Sequence, residues 1–240
     1  MKTRAALKAE VKQLFSGAWW RAALLCLVAS LSIFYRDASG MYKFINSWGI
    51  TGFDWVGWLD WDTSETTAAL LISTIFGVIV YFVQEVFIVG ASYALLDASR
   101  APKRQLPTIT AATVGFAKQY RWSIVGLIIF KALLVFLWSL LLIVPGIIKA
   151  YAYTQTYFVY KDMLAATPAG QPRPTYRAAI TRSRALMKGR KFDYFVLQLS
   201  FIGWQILAIL TAGLGEFWLM AYRLATNAHF YDDLVMSAKR

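Results

Sequence analysis

The stretch AALLISTIFGVIVYFVQEVFIVGASYALL, residues 68–96, decides the fold class, because Glu85 is its only charged residue. A helix needs roughly 20 mostly apolar residues to cross the hydrocarbon core of a bilayer, and this stretch is longer than that. Similar runs lie on both sides of it. The whole chain is 58% hydrophobic and 16% charged, whereas about 25% of the residues of a soluble domain are charged. The sequence therefore predicts an all-α, polytopic integral membrane protein.

The apolar runs predict a single transmembrane helical domain, residues 1–240, with about six spans in three hairpins. The first hairpin occupies 1–96, the second 97–160 and the third 161–240. Pro145 and Gly146 are predicted to separate the third span from the fourth, because proline removes a backbone donor and glycine permits a tight reversal. A tryptophan-rich outer segment, 36–67, is predicted to cap the bundle at the interface, or alternatively to dock an extracellular partner. The six predicted spans are 19–35, 68–96, 122–144, 147–159, 194–210 and 217–234.

The positions of lysine and arginine predict the orientation. Of 25 such residues, 20 fall in segments on the N-terminal side of the predicted membrane, and only Arg36 and Lys43 fall in the opposite segments. Positive charge accumulates in cytoplasmic loops, so both termini are predicted to be cytoplasmic. The same asymmetry accounts for the net charge of +12. No nucleic-acid-binding motif is present, and no nucleic acid partner is predicted.

A basic amphipathic cytoplasmic helix is predicted before each hairpin. The clearest one is capped by Thr175 and ends at Gly189, and it carries Arg177, Arg184 and Lys188 on one face. These three cations are the predicted lipid-facing basic residues, since such a helix can lie among anionic headgroups. Alternatively, the helix packs against the bundle and its basic face is solvated. Comparable glycines, Gly17, Gly115 and Gly189, suggest a threefold repeat.

Ionisable side chains inside the predicted bundle are costly, and this makes them candidates for function. Glu85 and Lys131 fall at comparable depth and could form an ion pair, and so could Lys149 and Glu216, near the outer face. Arg223 has no obvious partner. One interpretation is a polar pathway through the bundle. The other is that these side chains fix the helix register or snorkel to the interface. The five candidate intramembrane polar residues are Glu85, Lys131, Lys149, Glu216 and Arg223.

No catalytic, cofactor or metal site is predicted. The chain has one cysteine, Cys26, and one histidine, His229, which excludes an ordinary zinc site. Asp232 and Asp233 have helical spacing to His229, but there is no second histidine for acid–base work. No glycine-rich phosphate loop occurs. The prediction is therefore that the protein is not an enzyme and uses no cofactor.

Three stretches carry a family resemblance: LWSLLLIVPGIIKAYAY at 137–153, SRALMKGRKFDYFVLQLSFIGW at 183–204 and FYDDL at 230–234. They resemble the bacterial integral membrane family catalogued as domain of unknown function 975. The resemblance is close over the C-terminal half and extends to the N-terminal half only in layout. It implies a bacterial plasma membrane protein and supplies no reaction. It transfers no role to His229.

Three functions follow as hypotheses. The first is a non-enzymatic membrane factor whose partners are membrane lipids, with anionic lipids favoured by the basic helices, or other membrane proteins. The second is a small transporter or permease that uses Glu85 and Lys131. The third is an enzyme that modifies a membrane lipid, for which the sequence offers almost no residues.

Overall fold

The computed structural model describes residues 2–31, 67–101, 106–168 and 170–238. Within these ranges the chain is helical and contains no strand. The tryptophan-rich segment predicted at 36–67 lies outside the described residues, apart from Thr67. The helices, in chain order, are α1 Arg4–Phe15, α2 Trp19–Leu25, α3 Thr67–Arg100, α4 Arg121–Leu141, α5 Ile143–Ala152, α6 Thr156–Ala166, α7 Tyr176–Leu186, α8 Lys191–Leu199, α9 Ile202–Leu210 and α10 Glu216–Ala238, and a 3-10 helix, Ile109–Phe116, precedes α4.

Three helical stretches among the described residues are long and apolar enough to cross a membrane: Thr74–Arg100, Arg121–Leu141 and Lys191–Leu210. They correspond to the predicted spans 68–96, 122–144 and 194–210. Large apolar side chains on these stretches are exposed, among them Phe76 on α3, Leu140 on α4 and Leu210 on α9. Exposed apolar surface of this kind is typical of a protein or membrane contact. The membrane prediction is therefore supported for these three stretches.

The predicted fourth span, 147–159, is divided between α5 and α6. The chain leaves the helix at Tyr153 and resumes at Thr156. Thr154 and Thr156 each donate a side-chain hydrogen bond to a carbonyl three residues earlier. Such local bonds compete with the helical ladder, which explains an interruption that hydropathy alone did not predict.

The break between α4 and α5 was predicted at Pro145 and Gly146, and this position is wrong by a few residues. The extended residue is Leu142, with φ −162° and ψ 143°, and α5 already begins at Ile143. Pro145 lies in the first turn of α5, where its missing N–H costs no intrahelical hydrogen bond. Proline therefore follows the break and helps to start the next helix.

The segment before the second hairpin also differs from its prediction. A basic amphipathic α-helix was expected, but residues Ile109–Phe116 form a 3-10 helix without a charged side chain. This 3-10 helix lies directly against α3. A Cβ atom added to Gly90 would stand 2.1 Å from the Ala112 carbonyl oxygen, and one added to Gly115 would stand 2.4 Å from the Val86 carbonyl oxygen. Two glycines therefore allow the backbones to touch.

Helix α10 is central to the packed part of the molecule. Most of its side chains are buried, and they contribute to two hydrophobic clusters. The first cluster joins α10 to α1, α2 and α9, and the second joins it to α3, α4 and α6. Phe158 and Tyr231 stack in the second cluster, with ring centroids 5.2 Å apart. The helices of these two clusters are thus arranged around α10.

Candidate functional site

Helix α7 provides most of the candidate site. Thr175 caps it, because its side chain accepts a hydrogen bond from the Ala178 N–H at 3.2 Å. Ala179, Ile180 and Ser183 are buried against the bundle. Ser183 Oγ also donates to the Ala152 carbonyl oxygen at 2.9 Å, which attaches α7 to the end of α5. The predicted cap is confirmed. The helix ends at Leu186, three residues before the predicted end at Gly189, which lies in the following turn with φ +76°.

A groove of about 400 Å³ runs between α5, α7 and the start of α8. Its cations come from three elements: Lys149 from α5, Arg184 and Lys188 from α7 and the following turn, and Lys191 from α8. None of the described residues that line it is acidic. We call this site the basic groove. Four cations around one cavity suit a phosphate or carboxylate, with arginine able to bind two oxygens at once.

Two of the three predicted lipid-facing cations, Arg184 and Lys188, therefore share one cavity. Arg177 is exposed on the same helix but does not line the basic groove. The groove also includes two cations that the sequence did not assign to it. Lys191 was counted only as a loop charge, and Lys149 was assigned to the outer face. Lys149 is distant from α7 along the chain, so its position next to α7 had no local signal in the sequence.

The suggested pairing of Lys149 with Glu216 is not found. Lys149 Nζ lies 4.1 Å from the centroid of the Trp138 ring, and its charged neighbours are Arg184 and Lys191. Glu216 is fully buried at the start of α10, where its carboxylate accepts a hydrogen bond from Gln205 Nε2 at 3.1 Å. The two residues consequently belong to different parts of the molecule.

Arg223 has a partner that the sequence reasoning missed. Its Nη1 donates to Gln205 Oε1 at 3.0 Å, so that Gln205 joins Arg223 to Glu216. A second polar contact between the same helical layers links Gln198 Nε2 to Asn227 Oδ1 at 2.8 Å. The available signal was the presence of glutamine in an apolar run, since an uncompensated amide there is costly.

Glu85 and Lys131 are close enough to interact electrostatically, but the described atoms make no ion pair within 4.0 Å. Lys131 Nζ instead lies 4.3 Å from the centroid of the Tyr157 ring. The Tyr157 hydroxyl is buried and has no hydrogen-bond partner among the described residues. These three side chains form a polar cluster between α3, α4 and α6.

A cluster of charges at the C-terminal end of α3 was also missed. Arg100 binds both carboxylate oxygens of Asp162 at 2.8 and 3.0 Å, and its Nε donates to Asp232 at 2.9 Å. Tyr231 donates to Asp162 at 2.8 Å. The tyrosine and one aspartate belong to the FYDDL motif, whose spacing was visible in the sequence, but Arg100 lies far away along the chain. We call this set the Arg100 clamp.

The predicted set of His229, Asp232 and Asp233 is engaged by other residues. His229 Nδ1 lies 3.3 Å from a carboxylate oxygen of Glu10 on α1. Asp232 binds Arg100, and Asp233 accepts from the backbone N–H of Lys2 at 3.0 Å. Among the described residues, no group of three or more histidine, cysteine or acidic side chains could hold a metal ion.

The C-terminal part of the chain, which contains α7 and α8, is similar to a known family. Residues 145–238 match the family described as Protein of unknown function (DUF975). The resemblance predicted from the sequence is thereby confirmed over about two fifths of the chain. No curated protein and no solved structure matches the chain.

All four cations of the basic groove lie within the DUF975 match, and so does the chain of Gln205, Glu216 and Arg223. Glu85, Lys131 and Arg100 lie outside it. The basic groove is therefore built entirely from the region that the family model describes, although the family name assigns it no function.

Proposed function

We propose that this chain is a non-enzymatic membrane protein that binds the headgroup of an anionic lipid in the basic groove. The observation that carries the proposal is the convergence of Lys149, Arg184, Lys188 and Lys191 on one cavity without a lining carboxylate. Unpaired like charges repel one another, so this arrangement is favourable when an anion neutralises it. Phosphate headgroups supply such an anion at a membrane surface.

A lipid fits better than a soluble anion because apolar side chains border the groove. Phe192, the residue after Lys191, is 72% exposed, and Ile148, the residue before Lys149, is 46% exposed. Cations next to exposed apolar side chains are typical of the headgroup level, where the charged group reaches phosphates and the apolar group enters the acyl region.

The proposed topology places three cations of this site, Arg184, Lys188 and Lys191, at the inner leaflet. Lys149, which the sequence assigned to the outer face, lines the same groove, and we reassign it to the inner side. This topology comprises six spans in three hairpins, with both termini cytoplasmic, in a bacterial plasma membrane. The distribution of lysine and arginine supports the orientation, and the three long apolar helical stretches support the location in a membrane. The inner leaflet is also the one that attracts polybasic segments when it contains anionic lipid.

The double substitution Arg184→Gln, Lys188→Gln tests the proposal. Each cation near an anionic surface contributes about 1 kcal/mol, so the pair should contribute about 2 kcal/mol, or roughly thirtyfold in affinity. We expect native mass spectrometry to show bound phosphatidylglycerol on the wild type and its loss from the variant, with no change for phosphatidylcholine.

The matched control is Arg177→Gln, Arg182→Gln. Both arginines are exposed on α7, and neither lines the basic groove. The control removes the same net charge from the same helix, so it should retain the bound anionic lipid. Equal losses in the two double variants would mean that diffuse charge attracts the lipid, and the proposed site would be abandoned.

A second candidate, a transporter, is favoured by the polar cluster of Glu85, Lys131 and Tyr157. An acid and a base that approach without pairing, beside a buried hydroxyl without a described partner, can exchange protons with a permeating group. If the protein conducts protons, Glu85→Gln should abolish proton flux into proteoliposomes, as reported by an entrapped pH dye. Flux equal to that of empty vesicles for the wild type would exclude this function.

A further inference from the structure

A second groove lies on another side of the molecule, between α1, α2, α9 and α10. Its volume is about 300 Å³, and most of its lining is apolar. Three indole rings line it, those of Trp19, Trp204 and Trp218, together with Leu207 and other residues. Lys12 is the one charged residue in the described lining. We call this site the tryptophan groove. Ligand sites in proteins have this character: apolar walls with few polar groups that fix the orientation of the ligand.

The cation of the tryptophan groove comes from α1, whereas most of the apolar lining comes from α9 and α10. Lys8 Nζ donates to the Ser200 carbonyl oxygen at 3.1 Å and lies 4.1 Å from the centroid of the Phe201 ring. Lys12 follows Lys8 by one helical turn, and both Lys12 and Trp204 line the groove. From Trp204 to Thr211 the groove follows α9 for about 10 Å at 1.5 Å per residue. This length is about one third of the thickness of the hydrocarbon core, which is about 30 Å.

The two grooves occupy equivalent places in an internal repeat. Helix α1 is joined to α2 through Gly17, with φ +72°, and α7 is joined to α8 through Gly189, with φ +76°. Lys12 precedes Gly17 by five residues and Arg184 precedes Gly189 by five. Trp19 and Lys191 each follow their glycine by two. All four of these residues line a groove, Lys12 and Trp19 in one and Arg184 and Lys191 in the other.

In both repeats, the residue five before the glycine and the residue two after it line a cavity. The side chains that line the two cavities differ in chemistry. The basic groove has four cations and suits a headgroup. The tryptophan groove has one cation and three indoles, which suits a chain with a single charged end. Tryptophan prefers the interface between headgroups and acyl chains, and this matches a ligand that crosses that boundary.

We propose that the tryptophan groove binds one acyl chain of an anionic phospholipid, with Lys12 at the phosphate and the chain lying along Trp204, Leu207 and Trp218. The groove accommodates part of one chain, while the rest of the lipid remains in the bilayer. The complementary charge of Lys12 selects an anionic headgroup over a zwitterionic one. The inference does not rest on the basic groove, because the two sites share no lining residue.

The test measures tryptophan fluorescence of the full chain in nanodiscs that contain phospholipid brominated on one acyl chain. Brominated phosphatidylglycerol is compared with brominated phosphatidylcholine at the same mole fraction. We expect stronger quenching by phosphatidylglycerol, and we expect Trp204→Phe to remove a large part of the difference. Lys12→Gln should lower the preference about fivefold, the effect of one interfacial cation. Thr211→Phe, which places a large side chain in the groove lining, should reduce quenching by both lipids.

Arg4→Gln is the matched control, because Arg4 is exposed on α1 and does not line the tryptophan groove. It should leave the preference unchanged. The preference should also survive Arg184→Gln, Lys188→Gln, which separates this inference from the basic groove. Equal quenching by the two lipids in the wild type, or equal effects of Lys12→Gln and Arg4→Gln, would overturn the proposal and reduce the contact to that of bulk lipid.

Discussion

Alanine in place of Gly90 should destabilise the protein by about 3 kcal/mol, the upper end of the range for overpacking a tightly packed site. The added Cβ would stand 2.1 Å from the Ala112 carbonyl oxygen and 2.9 Å from the Gly115 backbone nitrogen. Both atoms belong to the backbone of the 3-10 helix, so no side chain can rotate away. The 3-10 helix would have to separate from α3. Because the free energy of unfolding of a native protein is about 5–15 kcal/mol, the expected loss is a large fraction of the total stability.

Gly77→Ala provides the matched control on the same helix. A Cβ atom at Gly77 meets nothing within 4 Å, so alanine should change stability by less than about 1 kcal/mol, in the stabilising direction expected from helix propensity. The measurement is the free energy of unfolding in mixed micelles, followed by far-ultraviolet circular dichroism. Gly115→Ala should resemble Gly90→Ala, because its Cβ would approach the Val86 carbonyl oxygen. Similar stabilities for Gly90→Ala and Gly77→Ala would contradict the close crossing.

The contrast between these glycines also shows what the sequence can predict. Gly77 and Gly90 lie in the same apolar run, and nothing local distinguishes them. The run itself was predictable, because burial of 20 or more consecutive apolar residues in lipid depends only on length and composition. For the same reason the stretches near 122–144 and 194–210 were predicted close to their observed bounds. Which segment of the chain packs against Gly90 depends on tertiary contacts. The residues around Gly90 carry no local signal for these contacts.

The candidate sites were predictable to different degrees for the same reason. Arg184 and Lys188 were assigned to one basic face because helical spacing is a local property. Lys149 was assigned to the outer face and Arg223 was left without a partner, because their neighbours come from other helices. The predicted break at Pro145 lies a few residues after the observed one at Leu142. A proline can either end one helix or begin the next, and the sequence alone does not decide between these roles.

Arg100→Gln is expected to have the second large effect on stability, because it removes the centre of the Arg100 clamp. The guanidinium joins α3 to α6 through Asp162 and to α10 through Asp232. Charged hydrogen bonds of this kind contribute about 1.5–3 kcal/mol each to stability in favourable cases. The guanidinium is about one-third exposed, so we expect a total loss of about 2–3 kcal/mol. Arg100→Lys should recover little of it, because an ammonium cannot bind both Asp162 oxygens in a planar fork.

The pH dependence of the free energy of unfolding distinguishes the electrostatic contribution of the Arg100 clamp from that of packing. Burial alone would raise the pKa of Asp162, but hydrogen bonds from Arg100 and Tyr231, together with the guanidinium charge, hold that pKa below its ordinary value. A carboxylate with a lowered pKa in the folded state stabilises the protein above its unfolded pKa of about 3.9, and this contribution disappears as the pH falls through the folded value. Stability of the wild type should therefore decline as the pH falls below about 4.

Asp162→Asn and Arg100→Gln should both flatten this acid dependence, for different reasons. The first variant removes the titrating group, and the second removes the charge that lowers its pKa. Unfolding free energies measured from pH 7 down to pH 3 in one micelle composition give the slopes directly. A wild-type slope in Arg100→Gln would mean that the guanidinium does not stabilise the Asp162 carboxylate. In that case the bidentate contact would join α3 to α6 by geometry and packing, and the pH dependence would have to come from other carboxylates.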